Sequence, residues 1–318
     1  MTLLCFLVLL FSSAVVTRAQ YIEQFREKAG SQIILTESIS IPPEEPGYTL
    51  ILPEDKTAKG LVVFFNADRD TASKIFRLSL PQKIGVMYVT TGNRLEFFFE
   101  NDRMIQIEEY LNKVLEAHKI LKRNLMYVGM SIAGTRAVKF TSFSSSNLST
   151  HHLTPLCLAI CDSPLDFVRL WHEMNKAKNV KATPVTTNEA TWVTGYLERK
   201  LGGTPLNRLD AYLTYSPFSY ANTDSIKLGH FRDIKIRAYT EPDVLWWMST
   251  RKKDYYGMNA IDLAAFINEL NILGNADAEL LVTEDKGYLP DGSRHPHSWS
   301  IIDEEELIEW FDNAITEE

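Results

Sequence analysis

Near the middle of the chain a short apolar run, 125–128, stops at Gly129-Met130-Ser131-Ile132-Ala133-Gly134. Helical spacing begins at once, with Ala133, Ala137, Val138 and Phe140 on one face. A serine pinned between a buried strand and a helix stands on a sharp turn with its hydroxyl presented outward. Gly129 and Ala133 must be small for the backbone to fold back there. The helix aims its first N–H groups and its positive dipole end at the serine oxygen. Such a hydroxyl attacks a carbonyl carbon only if a base removes its proton and a third group orients that base.

Candidates for both partners lie downstream. A loop punctuated by glycine and proline follows the apolar run 278–282 and leads to His295-Pro296-His297, shortly before a final helical stretch. The other histidines fall on a helix (His118), in a polar loop (His151, His152), in a long insertion (His172) and ahead of a strand (His230). Two histidines one residue apart also suit a metal, but no third ligand stands at a matching spacing, so neither metal nor cofactor is expected. Three acids sit just past apolar runs: Asp162 after 156–161, and Glu241 and Asp243 after 234–239. Any of the three reaches the serine's edge if those runs are parallel strands.

The elements that must position these residues alternate. Apolar, β-branched runs at 32–41, 48–52, 61–65, 84–90, 125–128, 156–161, 234–239 and 278–282 read as strands. Between them, 105–120, the stretch after Ser131, 260–273 and 304–315 have helical spacing. This order predicts an α/β fold, a mostly parallel, doubly wound sheet of about eight strands that opens with an antiparallel hairpin. The stretch of about 163–230 is too long for one crossover helix and is expected to be a helical lid or cap.

This order of parts resembles the α/β-hydrolase superfamily, which places a serine turn after its fifth strand, an acid after a later strand and a histidine after the last. Alanine stands at position 133 where the family pattern has glycine. The resemblance implies Ser131 as nucleophile, His297 as base (His295 as alternative) and Asp243 as the acid, with Glu241 and Asp162 as alternatives. It also implies two backbone donors for a developing oxyanion, Ile132 N–H and one from the loop after 61–65. Ala67 is favoured there, with Asn66 and Asp68 as alternatives. That loop carries two aspartates where lipases are often glycine-rich, and these oppose an oxyanion unless Arg69 offsets them. Trp246 and Trp299, close in sequence to the acid and the histidine, are expected against the substrate.

Composition narrows the function classes. The chain has 318 residues, 45% hydrophobic and 23% charged, with a net charge of −8. No basic excess exists to neutralise nucleic-acid phosphates. The apolar run 3–16 is too short for a comfortable span and ends at Thr17-Arg18-Ala19-Gln20. It reads as a signal peptide of 1–19 ahead of a mature domain of 20–318, exported to the periplasm or the medium; an uncleaved anchor is the alternative. No other run is long enough to cross a membrane. Cys157 and Cys161, four apart on a strand, lie roughly 13 Å apart, too far to bridge, and are expected as core thiols. The reading is a secreted serine hydrolase of small esters, or of amides and peptides, proceeding through an acyl-enzyme. The alternative is an inactive relative that binds a ligand. Oligomeric state is not legible.

Overall fold

The computed structural model describes residues 20–27, 32–35, 46–65, 75, 77–90, 97, 100–222 and 225–317. Among these, nine strands form one sheet: β1 (Gln20–Arg26), β2 (Gln32–Leu35), β3 (Gly47–Pro53), β4 (Gly60–Phe65), β5 (Ile84–Thr90), β6 (Leu125–Met130), β7 (Cys157–Cys161), β8 (Lys235–Thr240) and β9 (Ala278–Val282). Their spatial order is β2-β1-β3-β5-β4-β6-β7-β8-β9. The pairs β2–β1, β1–β3 and β3–β5 are antiparallel, and every pair from β5–β4 to β8–β9 is parallel. The chain reverses its direction of travel across the sheet at β4, so the carboxyl ends of β4 and β6 flank the crevice where ligands of such sheets bind.

Central strands are apolar throughout because both faces are covered. Every residue of β4 and β7 is buried. One face carries α1 (Asn101–His118), α2 (Ile132–Ser144) and α6 (Ala260–Ile272), contributing Ile107, Leu111, Val138, Phe140, Leu263 and Phe266 to a common core. The other face carries α7 (Glu304–Glu317) through Leu307, Ile308 and Phe311. Cys157 and Cys161 are buried free thiols.

One difference from the sequence reading concerns the edge. The sheet has nine strands rather than about eight, because Gln20–Arg26 forms a strand that apolar patterning misses. Glu23, Gln24 and Arg26 are buried polar residues. Glu23 and Arg26 are tolerated there because Tyr48 Oη donates to Glu23 at 2.7 Å and Arg26 Nη1 donates to the Tyr48 carbonyl at 2.5 Å. Of the opening strand expected at 32–41, Gln32–Leu35 is described, and 36–41 lies outside the described residues, as does 1–19.

Between β7 and β8 the chain forms α3 (Phe167–Asn179), α4 (Pro184–Leu201) and α5 (Leu209–Tyr215). Local signals start and stop these helices. Asp166 caps α3 by accepting from Val168 and Arg169 N–H, and Thr183 caps α4, with Pro184 in its first turn. Gly202, with φ +78°, ends α4 in the left-handed region. The insertion has an apolar core of its own, including Phe167, Leu170, Trp171, Leu197 and Tyr212. No helix among the described residues is long and apolar enough to cross a membrane.

Candidate active site

Ser131 stands between β6 and α2 with φ 53° and ψ −128°. A non-glycine residue at positive φ costs about 1–3 kcal/mol and persists only where its surroundings enforce it. Ser131 N–H donates to Cys161 O at 2.8 Å, and Ser131 O accepts from Gly134 N–H at 3.0 Å and Thr135 N–H at 3.2 Å. The residues that must be small are Gly129 and Gly134. A Cβ on Gly129 would lie 2.3 Å from the Ala133 carbonyl carbon, and one on Gly134 would lie 1.9 Å from Ser163 Oγ. Gly134 joins Gly129 as a position with no room for a side chain, and Ala133, whose backbone Gly129 faces, is buried between them.

His297 Nε2 lies 3.1 Å from Ser131 Oγ, and its Nδ1 lies 2.6 Å from Asp162 Oδ2. An ionised carboxylate only accepts, so Nδ1 carries its proton toward Asp162 and Nε2 is left to accept from the serine hydroxyl. Asp162 directly follows β7 and is itself at positive φ, 42°. Its N–H donates to Tyr239 O at 2.8 Å, its carbonyl accepts from Asn259 Nδ2 at 2.8 Å, and its Oδ1 lies 3.3 Å from Thr240 Oγ1. A hydroxyl, an imidazole and a buried carboxylate in series can move a proton from the serine and back.

Asp243, the acid favoured by resemblance, is not in that series. It accepts from Trp246 N–H at 2.9 Å, capping the turn after β8, and from Arg294 Nη2 at 3.0 Å. Glu241 is buried and accepts from Thr283 Oγ1 at 2.9 Å, Lys286 N–H at 3.0 Å and Arg294 Nη2. Both acids therefore hold the histidine loop through Arg294, three residues before His297. The physical reason is proximity: β7 neighbours β6 in the sheet and β8 lies one strand further out. His295 donates its Nδ1 proton to the His297 carbonyl, at 2.7 Å, and faces the Trp246 ring. Burial, and then the neighbouring His297, pull its pKa below the usual imidazole value.

Ile132 occupies the first position of α2, where a backbone N–H has no acceptor within the helix and is available to an oxyanion. The expected second donor, Ala67, lies outside the described residues. A cavity of about 110 Å³ opens at Ser131 and His297, walled by Leu170, Met174, Trp192, Val193 and Trp247. Trp246 and Trp299 are not among its walls. Trp246 packs edge-on against Trp247, while Trp299 is buried against Phe64 and donates its indole N–H to Glu304 at 2.6 Å. It is Trp247, at the start of a π-helical turn (Trp247–Arg251), that reaches the cavity. Sequence reasoning also passed over Thr240, Asn259, Arg294 and Lys253. Of these Arg294 carried a usable signal, a lone cation beside the two histidines and downstream of two acids. No group of residues able to hold a metal ion occurs among the described residues.

No protein-family model and no curated protein matches the chain. Solved structures do. It is similar to an esterase from Rhizomucor miehei, with a TM-score of 0.54 at 9% identity, covering 94% of this chain and 83% of that one. Similarity to carboxyl esterase 2 from Tuber melanosporum gives a TM-score of 0.56 at 13% identity over 88% of this chain and 87% of the other. An acylaminoacyl peptidase from Pyrococcus horikoshii matches with a TM-score of 0.52 at 12% identity, over 92% of this chain but 40% of the peptidase. Those proteins, the strand order and the serine turn at the sheet's carboxyl edge share one architecture: the chain has the α/β-hydrolase fold.

Proposed function

We propose that the protein is a serine hydrolase that cleaves a small carboxylic ester, or an amide, through an acyl-enzyme on Ser131, with His297 as general base and Asp162 as the orienting acid. The observation that carries this reading is the unbroken series Ser131 Oγ–His297 Nε2 at 3.1 Å and His297 Nδ1–Asp162 Oδ2 at 2.6 Å, built on a serine in a sparsely allowed conformation. A strained serine whose hydroxyl also meets an imidazole is what a nucleophile requires.

In the acylation step Ser131 Oγ bonds to the substrate's carbonyl carbon as its proton passes to His297 Nε2. The carbonyl oxygen takes up the displaced electron pair and faces Ile132 N–H. Each such backbone donor contributes on the order of 3 kcal/mol in the transition state. Collapse breaks the bond to the leaving oxygen or nitrogen, which receives the proton from His297. Water then repeats the sequence, releasing the acid and restoring the Ser131 hydroxyl. Asp162 keeps its charge throughout, fixing the tautomer and stabilising the imidazolium. The insertion carrying α3 and α4 walls the cavity as a cap, and removal of 1–19 on export completes the reading.

The test is labelling of the mature protein with a fluorophosphonate probe, beside Ser131→Ala and His297→Ala. Labelling of the wild type that both substitutions abolish is expected. A folded wild type that stays unlabelled would overturn the reading in favour of a ligand-binding protein.

A further inference from the structure

Two charged side chains that line the cavity, Lys253 and Glu189, are not used by the chemistry above. Lys253 is only 8% exposed and lines the same cavity as Ser131 and His297. Its Nζ lies 5.6 Å from the centre of the Trp247 ring, which in turn lies 6.5 Å from the centre of the His297 ring. A single indole thus separates the ammonium from the reacting groups. Two carboxylates flank it at distances longer than a charge-assisted hydrogen bond, Glu173 Oε1 at 3.5 Å and Glu189 Oε2 at 3.9 Å.

Neither carboxylate fully answers the ammonium. Glu189 is half exposed, so solvent screens it. Glu173 is shared with the Arg169 guanidinium, and burial pushes its carboxyl above the usual range. A buried ammonium has three donors and is costly to leave with weak acceptors. Apart from Lys253, Glu189, Asn259 and the Ser131, His297 and Asp162 series, the walls are apolar, and about 110 Å³ is well below the space a drug-sized ligand occupies. What fits is a short chain with an acceptor at its far end. A cationic group is disfavoured, because Lys253 already sits between the two carboxylates that would receive it.

We infer that the substrate's acyl chain is short and ends in a carboxylate, which Lys253 receives; a monoester of a small dicarboxylic acid is the simplest such compound. This inference rests on the serine-hydrolase reading. The experiment compares kcat/KM for the 4-nitrophenyl monoester of glutaric acid with that for 4-nitrophenyl valerate, which matches it in chain length. Wild type is expected to favour the anionic ester about tenfold or more, as one charge-assisted hydrogen bond would give. The preference should fall to near one in Lys253→Met, survive in Lys253→Arg and grow in Glu189→Gln, which removes a competing carboxylate without touching a buried position. A wild type that favours the neutral ester, or a preference that Lys253→Met leaves intact, overturns the inference. If neither ester turns over, protection of Ser131 from the fluorophosphonate by free glutarate decides: protection lost in Lys253→Met supports the site, and no protection overturns it. If Ser131 does not label at all the hydrolase reading fails, and calorimetry of glutarate with wild type and Lys253→Met then decides the anion site alone.

Discussion

Two loops at the carboxyl edge of the sheet carry the same kind of residue and put it to different uses. After β7, Asp162 turns its carboxylate to His297 Nδ1, with Thr240 on its other oxygen. After β8, Glu241 and Asp243 turn theirs to Arg294. Both loops act on the same segment. One holds the imidazole itself, and the other holds the backbone that carries it. An acid past a parallel strand is therefore not assigned by its place in the chain order. The cation facing it assigns it, and that depends on which strand lies next to the serine's own.

Substitutions can break this contrast. The largest effect is expected from Asp162→Asn, which keeps the shape but leaves His297 in the wrong tautomer: kcat/KM on an activated ester should fall by roughly 10⁴-fold, with the melting temperature little changed. Next comes Arg294→Met, which strips buried Glu241 of its cation. A loss on the order of 3 kcal/mol is expected in chemical denaturation, since one partner of a buried pair is left behind. Thr240→Val removes the 3.3 Å contact to Asp162 and should cost about 1 kcal/mol, seen as a roughly fivefold drop in kcat with KM nearly constant. Asp243→Asn retains the capping oxygen and loses only a partly exposed ion pair, so kcat/KM should stay within about threefold. If Asp243→Asn instead matched Asp162→Asn, the division of labour between the loops would be wrong.

The smallest effect concerns pH. Burial raises the carboxyl pKa of Glu173 in the folded state. The native protein then holds a proton that the unfolded chain has released, over the window just above the ordinary carboxylate range. The associated stability is complete below that range and declines as pH rises through the folded value. Melting curves between pH 4 and 7 should therefore fall more steeply for wild type than for Glu173→Gln.

Much of this arrangement was legible in the residues. Runs such as Leu61-Val62-Val63-Phe64-Phe65 are apolar on both faces because helices cover both, and that pattern needs no structure to read. Ser131, between such a run and helical spacing, and His297, on the loop after the last run, are the two side chains that meet at 3.1 Å. The strand Gln20–Arg26 was not legible, because its buried Glu23 and Arg26 are hydrogen-bonded to Tyr48, a partner distant in sequence. Nor was the choice of Trp247 over Trp246 as a cavity wall. Adjacent indoles are alike in sequence, and a π-helical turn sets which one points inward.

By itself the sequence determined the alternation of strand and helix, the serine turn and the order in which serine, acids and histidines follow one another. These depend on local patterns of apolarity, small residues and turn formers, which act within a few residues of chain. Only the tertiary structure decided which acid meets His297, which aromatic ring walls the cavity and where the Lys253 ammonium lies. Those outcomes depend on strand neighbours and on partners tens to more than a hundred residues apart. An acid's role follows from the field and the hydrogen bonds around it, and these exist only once the chain has folded.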